Sequence, residues 1–250
     1  MQDKQSVYDK DGFFDLYQKL RSNPNSLNEI VEKPTMLGLV GGVSGKRILD
    51  LGCGCGEHLK LYLERGATFV AGIDLSQAML QQAAKNLAEF RPHFLLEQAP
   101  MERLEQLNEG DFDLITSSFA FHYVQDFPAL LAKIHDKLAP NGQLVFSQEH
   151  PIVTCYQGGE RWEKDAQKRQ IAYRLNFYRD ESERQRNWFK QPFTTYHRTT
   201  ATIINNLISA GFHIEQMAEP MLADQPQWQA EFKDLQHRPV LLFVKARKNA

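Results

Sequence analysis

Residues 48–59 read ILDLGCGCGEHL, and this stretch decides the fold. An apolar run reaches an acid at Asp50. Glycines follow at 52, 54 and 56, and Leu59, Tyr62 and Leu63 then recur on one helical face. The segment is a strand, a tight loop and a helix. Glycine lets the backbone turn sharply and lets a ligand approach it closely. Backbone N–H groups at the start of the following helix can receive an anionic group. Asp50, at the strand end, can accept from an ammonium group or a water. Ligands of open α/β sheets bind beyond the carboxyl ends of strands, so residues 50–56 mark a binding site.

The same alternation continues outward. Strands are predicted at TFVAGI (68–73), HFLLE (93–97), FDLITS (112–117), QLVFS (143–147), FHIEQM (212–217) and PVLLFVKA (239–246). Between them lie helical patterns: one capped by Ser76, one opened by Pro128, and one over 200–210. This rhythm predicts an α/β fold, with a seven-stranded, mostly parallel, Rossmann-like sheet and helices on both faces. Two helices are expected before the first strand, over 13–21 and 27–40, the second weakened at Pro34. Residues 151–196 break the rhythm with Trp162, Trp188, four tyrosines and many charges. A hairpin is expected there, with strands near 171–178 and 184–189. The reading is one domain over 1–250, with an N-terminal helical lid over 1–45 and an aromatic-rich cap over 151–196.

Composition narrows the function classes. Net charge is -2 over 250 residues, with both signs interleaved, which argues against a nucleic-acid partner. Lys168, Arg169, Arg174, Arg184 and Arg186 form one basic stretch, but Asp180, Glu181 and Glu183 sit among them. No apolar run is long enough to span a membrane, and the first residues do not suit a signal peptide. A cytoplasmic protein is expected. Three cysteines at 53, 55 and 155 suggest neither a disulfide framework nor a zinc site.

A dinucleotide loop would require G-x-G-x-x-G, but Glu57 stands at the third glycine position, where it opposes close helix approach and repels pyrophosphate. No G-K-[ST] follows for a nucleotide-triphosphate loop. Instead LDLGCGCG, residues 49–56, closely resembles motif I of the class I S-adenosylmethionine-dependent methyltransferases. The resemblance is strong over residues 47–148. It implies that Asp50, Gly52, Cys53, Gly54 and Gly56 pack against the methionine part of S-adenosyl-L-methionine. It also implies that Asp74 bonds the ribose, since a carboxylate can accept from both hydroxyls of a diol. DLSQAML (74–80) resembles the family's D-x-S-x-x-M-L, which sets Leu75 and Met79 at the adenosine pocket. After the third strand, Gln98-Ala99 stands where the family often has Asp-Ala; the Gln98 amide oxygen still accepts, and Glu97 is an alternative. Ser117, Ser118, His122 and Tyr123 map onto the segment flanking the methyl group. The absence of an Asn/Asp-Pro-Pro-Tyr element counts against methylation of base amines or glutamine. The strand at 239–246 fits the family's antiparallel seventh strand. SQEHPI, YHRT and LISAGFHIEQMAEP are similar to a bacterial subgroup acting on small molecules.

The expected function is therefore methyl transfer to a small-molecule acceptor at the carboxyl end of the sheet. Such transfer demands in-line positioning and exclusion of water, for which the aromatic insertion supplies a lid. The alternatives are methylation of a protein or RNA, and a non-catalytic cofactor-binding protein. Tyr17 and Arg21, one helical turn apart, are expected to close over the cofactor. For the chemistry, His150 directly follows the fifth strand, and Pro151 restricts its backbone. His197 precedes the next helix. Histidine is the natural base near neutral pH. His150 and His197 are expected to take the acceptor proton, and Arg198 to orient an acidic group through a two-pronged contact.

Overall fold

Strand β1 (Arg47–Leu51) runs through the middle of a seven-stranded sheet, and its burial follows from having apolar side chains on both faces. The structure is a computed structural model that describes residues 9, 14, 18, 19, 21–188, 190–221 and 232–249. Five strands lie parallel: β1, β2 (Phe69–Asp74), β3 (Phe94–Gln98), β4 (Phe112–Ser117) and β5 (Leu138–Glu149). After the small insertion strands β6 (Trp162–Lys164), β7 (Gln170–Tyr173), β8 (Glu183–Trp188) and β9 (Gln191–Tyr196), strands β10 (Phe212–Ala218) and β11 (Leu241–Lys248) complete the sheet. The order is β10-β11-β5-β4-β1-β2-β3, and β11 is antiparallel to both neighbours.

Alternate residues of each strand feed opposite faces, as a period of two requires. Leu49, Ala71, Ile115, Leu144 and Val244 face one core layer, with Leu131 of helix α4 (Phe127–Lys137) and Leu207 of α6 (Thr200–Ser209). Ile48, Val70, Leu114, Val145 and Phe243 face the other layer, with Met36 of α1 (Lys33–Val40) and Tyr62 of α2 (Glu57–Glu64). Leu87, just past α3 (Gln77–Asn86), joins this second layer.

The expected helix over 27–40 has two parts. A wider π turn at Asn28–Glu32 leads into α1, and Pro34 falls in the first turn of α1. There its missing N–H costs no helix bond. The expected helix over 13–21 lies largely outside the described residues. The insertion differs from expectation. Residues 171–178 do not pair with 184–189. Instead β6 (Trp162–Lys164) pairs with β7 (Gln170–Tyr173), and β8 (Glu183–Trp188) pairs with β9 (Gln191–Tyr196). The short link between Trp188 and Gln191 closes a local hairpin, which needs less loop ordering than pairing across residues 174–182. The short helix α5 (Pro151–Thr154) connects β5 to this insertion.

Packing is tight where β2 passes beneath the glycine loop. A Cβ at Gly72 would lie 2.7 Å from both Cys53 Sγ and Leu59 Cδ1, whereas one at Gly38, on α1, would meet nothing within 4 Å. Gly72→Ala is expected to lower stability by about 1–3 kcal/mol through overpacking. Gly38→Ala is expected to raise it by about 1 kcal/mol through helix propensity. Urea unfolding of the two variants beside the parent checks both signs.

Candidate functional site

The loop between β1 and α2 is held by the end of β2. The Gly52 and Cys53 N–H groups both donate to the Ile73 carbonyl, at 2.8 and 3.0 Å. Gly52 has φ +75°, and a Cβ there would lie 2.8 Å from Ala120 Cβ, so only glycine fits. Gly54 has φ +53°, but no atom stands within 4 Å of its Cβ position. The loop is thus packed behind and open in front, the shape a closely approaching ligand needs. Cys53 is buried, and desolvation, followed by the charges of Asp74 and Asp50, holds its thiol well above the ordinary value. Cys55 is pushed up to about 11, chiefly by burial. Both act as small fillers rather than nucleophiles.

Two carboxylates flank this loop. Asp50 is buried and accepts from the Thr116 hydroxyl at 2.7 Å. Burial raises its carboxyl from 3.8 to about 7, with the Thr116 bond pulling the other way. Asp74 accepts from Gly54 N–H and from Ser76 N–H, each at 2.8 Å, one on each oxygen. Each oxygen keeps a further lone pair. Desolvation raises the Asp74 carboxyl, opposed by these backbone donors. Ser76 caps α3 by accepting from Met79 N–H at 3.2 Å. Asp9 adds a second cap, accepting from the Ser76 hydroxyl at 2.5 Å and Ala78 N–H at 3.1 Å. Nothing in the local sequence around Asp9 signals that long-range contact.

The residues expected around the adenosine come together beyond β2 and β3. Met79 is buried with its Sδ 3.4 Å from Cys55 Sγ. Gln98 Nε2 donates to the Leu75 carbonyl at 3.4 Å, which leaves its amide oxygen unspent. Ala99 is buried, and its N–H donates to the Asp74 carbonyl at 3.2 Å.

A cavity of about 1280 Å³ extends from the loop to the insertion. Asp50, Gly52, Cys53 and Gly54 line one part of it, while Ser118, Phe119, His122 and Tyr123 follow β4. Glu149 closes β5, and Arg186, Trp188 and Phe193 reach in from β8 and β9. His122 is buried, and desolvation lowers its pKa to about 4, so it is neutral near pH 7. Its Nδ1 accepts from Glu149 N–H over a long 3.5 Å, which places the ring proton on Nε2. Ser118 donates to buried Glu32 Oε1 at 2.6 Å, as does Ser147. This carboxylate, delivered by the N-terminal helical segment, escaped sequence reading, because nothing local marks Glu32 as inward-facing. Arg21 pairs with Glu57 at 2.7 Å, and both line the cavity. Tyr17 lies outside the described residues. Ser117 turns away: its hydroxyl donates to the Leu51 carbonyl at 2.8 Å, and its neighbour Ser118 lines the cavity instead.

The three residues expected to perform chemistry stand apart from this cavity. His150 Nδ1 accepts Ile152 N–H at 3.1 Å and caps α5, while Nε2 bonds Glu219 at 2.7 Å. His197 bonds the Thr154 hydroxyl through Nδ1 at 2.7 Å and the Tyr178 carbonyl through Nε2 at 2.8 Å. Both nitrogens of each ring are therefore committed. Arg198 donates to the carbonyls of Val124 and Gln125, and lies 5.0 Å over the Phe127 ring. Burial draws its pKa down to about 10. The insertion must anchor to the sheet through polar backbone, and these three side chains satisfy it. Among the described residues, no group of three metal-ligating side chains occurs, and no helix is long and apolar enough to cross a membrane.

A strand order with one antiparallel member, a glycine loop after β1 and an acid ending β2 define a methyltransferase architecture. Comparison with known proteins agrees. The family model described as a methyltransferase domain matches residues 48–142. The solved structure of an S-adenosylmethionine-dependent methyltransferase from Mesorhizobium loti is 36% identical, with TM-score 0.79 over 89% of this chain and 100% of that one. An uncharacterized protein of Haemophilus influenzae is 67% identical over 99% of both chains. A ubiquinone biosynthesis O-methyltransferase of Pasteurella multocida is 32% identical over 57% of this chain and 59% of its own length. The chain belongs to the S-adenosylmethionine-dependent methyltransferases.

Asp50 gives this site a pH signature. Between 3.8 and about 7 the folded protein holds a proton on Asp50 that the unfolded chain has released. Its contribution to stability is complete below the lower value and is lost as pH rises through the upper one. Asp50→Asn keeps an oxygen for Thr116 but never ionises. Unfolding measured across pH is expected to show the variant gaining on the parent from about pH 4 to about pH 7, then holding level. A difference that stays flat across that window would contradict the raised carboxyl.

Proposed function

We propose that the chain transfers a methyl group from S-adenosylmethionine to a small molecule bound between the glycine loop and the β8–β9 hairpin. The observation that carries this reading is one continuous cavity lined by the open face of Gly54, by Asp50, and by aromatic side chains of the insertion. Its size, about 1280 Å³, leaves room for two ligands of small-molecule dimensions. When bound, the cofactor supplies an electrophilic methyl group carried on a sulfonium.

The chain's own residues divide the remaining work. Asp74 offers its spare lone pairs to the ribose hydroxyls, and Asp50, once ionised, faces the ammonium of the methionine part. Leu75, Met79, Gln98 and Ala99 flank the adenine, with Gln98 as acceptor. His122, neutral and protonated on Nε2, is a hydrogen-bond donor rather than a base. Phe119, Tyr123, Trp188 and Phe193 exclude water from the space beside them. The Pasteurella multocida relative is, by its name, an O-methyltransferase of ubiquinone biosynthesis; this chain spans only part of its length, and the likeness supports a small-molecule acceptor alone.

Calorimetry is expected to show S-adenosylmethionine and S-adenosylhomocysteine each binding at one site per chain. Asp74→Ala is expected to weaken both by roughly tenfold to a hundredfold, the loss of charge-assisted bonds. Isotope-labelled methyl transfer into a cell lysate, separated by size, is expected to label the small-molecule fraction. Binding of NAD with neither adenosyl ligand, or label confined to protein or RNA, would overturn the reading.

A further inference from the structure

The turn that follows β4 carries a strained residue, and behind it stands a buried carboxylate. Phe119 has φ +57°, a left-handed backbone that is costly for a bulky side chain. Its N–H donates to both the carbonyl and the hydroxyl of Ser147, each at 3.0 Å, and so holds the bend. Ser147 and Ser118 each donate to Glu32 Oε1 at 2.6 Å. Glu32 is 1% exposed and is the last residue of the π turn Asn28–Glu32. Such wider turns recur at functional sites. Two uncommon backbone features thus converge on one carboxylate and on Ser118, which lines the main cavity. Strain kept at such a point is a lead to function.

The hydrogen bonds fix a polarity. An ionised carboxylate only accepts, so both serine protons point at Glu32. Ser118 has one proton to give and gives it there. Its remaining capacity is two lone pairs, so a cavity ligand that meets the Ser118 hydroxyl must bring a donor. Among the described residues no cation pairs with Glu32, whose charge is met by the two hydroxyls. His58 also lines the cavity and feels that charge, but burial holds it below the ordinary value, so it stays neutral near pH 7. Other acids of the wall are engaged. Glu57 pairs with Arg21 at 2.7 Å, Glu149 faces Arg186 at 3.4 Å, and Asp50 keeps its own proton up to about 7. Glu32 reaches the cavity through a single hydroxyl, and that hydroxyl can pass a proton inward.

Resting on the small-molecule reading above, we propose that the methyl acceptor presents an O–H or N–H to Ser118, and that Glu32 receives the proton through Ser118. The acceptor's oxygen or nitrogen bonds the methyl carbon as the carbon–sulfur bond breaks, and that bond's electron pair returns to sulfur. The acceptor's proton passes to Ser118 Oγ, and the Ser118 proton passes to Glu32 Oε1. The sulfonium charge and the carboxylate charge disappear together. Ser118 is the contact with the substrate, and Glu32 is a positioning residue that also takes up the proton.

The test has two readouts. Ligand-observed magnetic resonance on protein saturated with S-adenosylhomocysteine compares phenol, which has a donor, with anisole, which has none. The parent is expected to bind phenol at least about fivefold more tightly. Ser118→Ala is expected to bind the two within about twofold of each other. Glu32→Gln keeps an oxygen for both serines, so it is expected to keep the phenol preference. The second readout is the rate of isotope-labelled methyl transfer into a small-molecule extract of cells. Glu32→Gln, which cannot take up the proton, is expected to lose at least about a hundredfold in that rate. Retained binding with lost transfer is a split that a merely structural role would not produce. Should Glu32→Gln not fold, Ser118→Ala decides alone, and it is expected to lose both the preference and the rate. Equal binding of phenol and anisole by the parent, binding of neither, or a preference that survives Ser118→Ala would overturn the assignment. So would a folded Glu32→Gln protein that has lost the preference, or either variant transferring at the parent rate. A parent that labels no small molecule sinks the small-molecule reading itself, whereas labelled small molecules without these variant effects sink only the roles of Ser118 and Glu32.

Discussion

The site hangs on the carboxyl end of β2. The Ile73 carbonyl receives two loop N–H groups, and the Asp74 carboxylate receives one from Gly54 and one from Ser76. Four donors from two separate segments converge on two adjacent residues. A glycine loop has large conformational entropy to lose, and a few directed bonds of this kind order it before any ligand arrives. The same arrangement explains Gly72: the loop is drawn down so closely that β2 has no room for a side chain beneath Cys53 and Leu59. It also fixes where α3 begins, since Ser76 accepts its own cap bond while its backbone serves Asp74.

Much of this was legible in the sequence because it is local. The strand, the glycines and the helix of residues 48–59 are consecutive, and each residue states its own backbone requirement. Asp74 and Ser76 could be placed because a strand end and a helix cap adjoin. The sheet followed from short apolar runs in β1, β4 and β5, where nearly every residue is apolar or enclosed because both faces are covered. What escaped was long-range. Glu32 bonding Ser118 and Ser147 joins residues about a hundred positions apart, and no periodicity encodes it. Asp9 on α3 is of the same kind. The insertion misled for a related reason: its strands are short and half-exposed, so alternation alone did not tell which pairs with which.

The histidines show how position along a chain and position in the cavity can differ. His150 ends a central strand, the place where substrates meet cofactors in this architecture. Yet the chain turns at that point into α5, whose first N–H groups need acceptors. His150 Nδ1 supplies one, so the ring is drawn into the scaffold rather than the cavity. One residue earlier, Glu149 keeps its side chain in the cavity, because neighbouring residues of a strand point to opposite faces. His197 is likewise fixed between Thr154 and Tyr178, which ties the insertion to α5. Removing the His197 ring would leave the buried Thr154 hydroxyl without its 2.7 Å partner, so this histidine supports the stability of the cap.

Within the cavity, burial has reversed the usual order of acids. Asp50 titrates near 7 and His122 near 4, so the carboxyl is the weaker acid of the two. Both shifts share one cause, since desolvation disfavours the charged form whatever its sign. The cavity therefore tends toward neutrality and keeps its electrostatic cost low while it holds no ligand. A cation placed beside Asp50 changes that balance: it stabilises the carboxylate, lowers its pKa and gains an interaction strengthened by the same low polarity that raised it. His122 gains nothing from a cation and stays neutral. The pair thus discriminates by charge at one end of the cavity. That discrimination arises from where each strand ends rather than from any excess of charge in the chain.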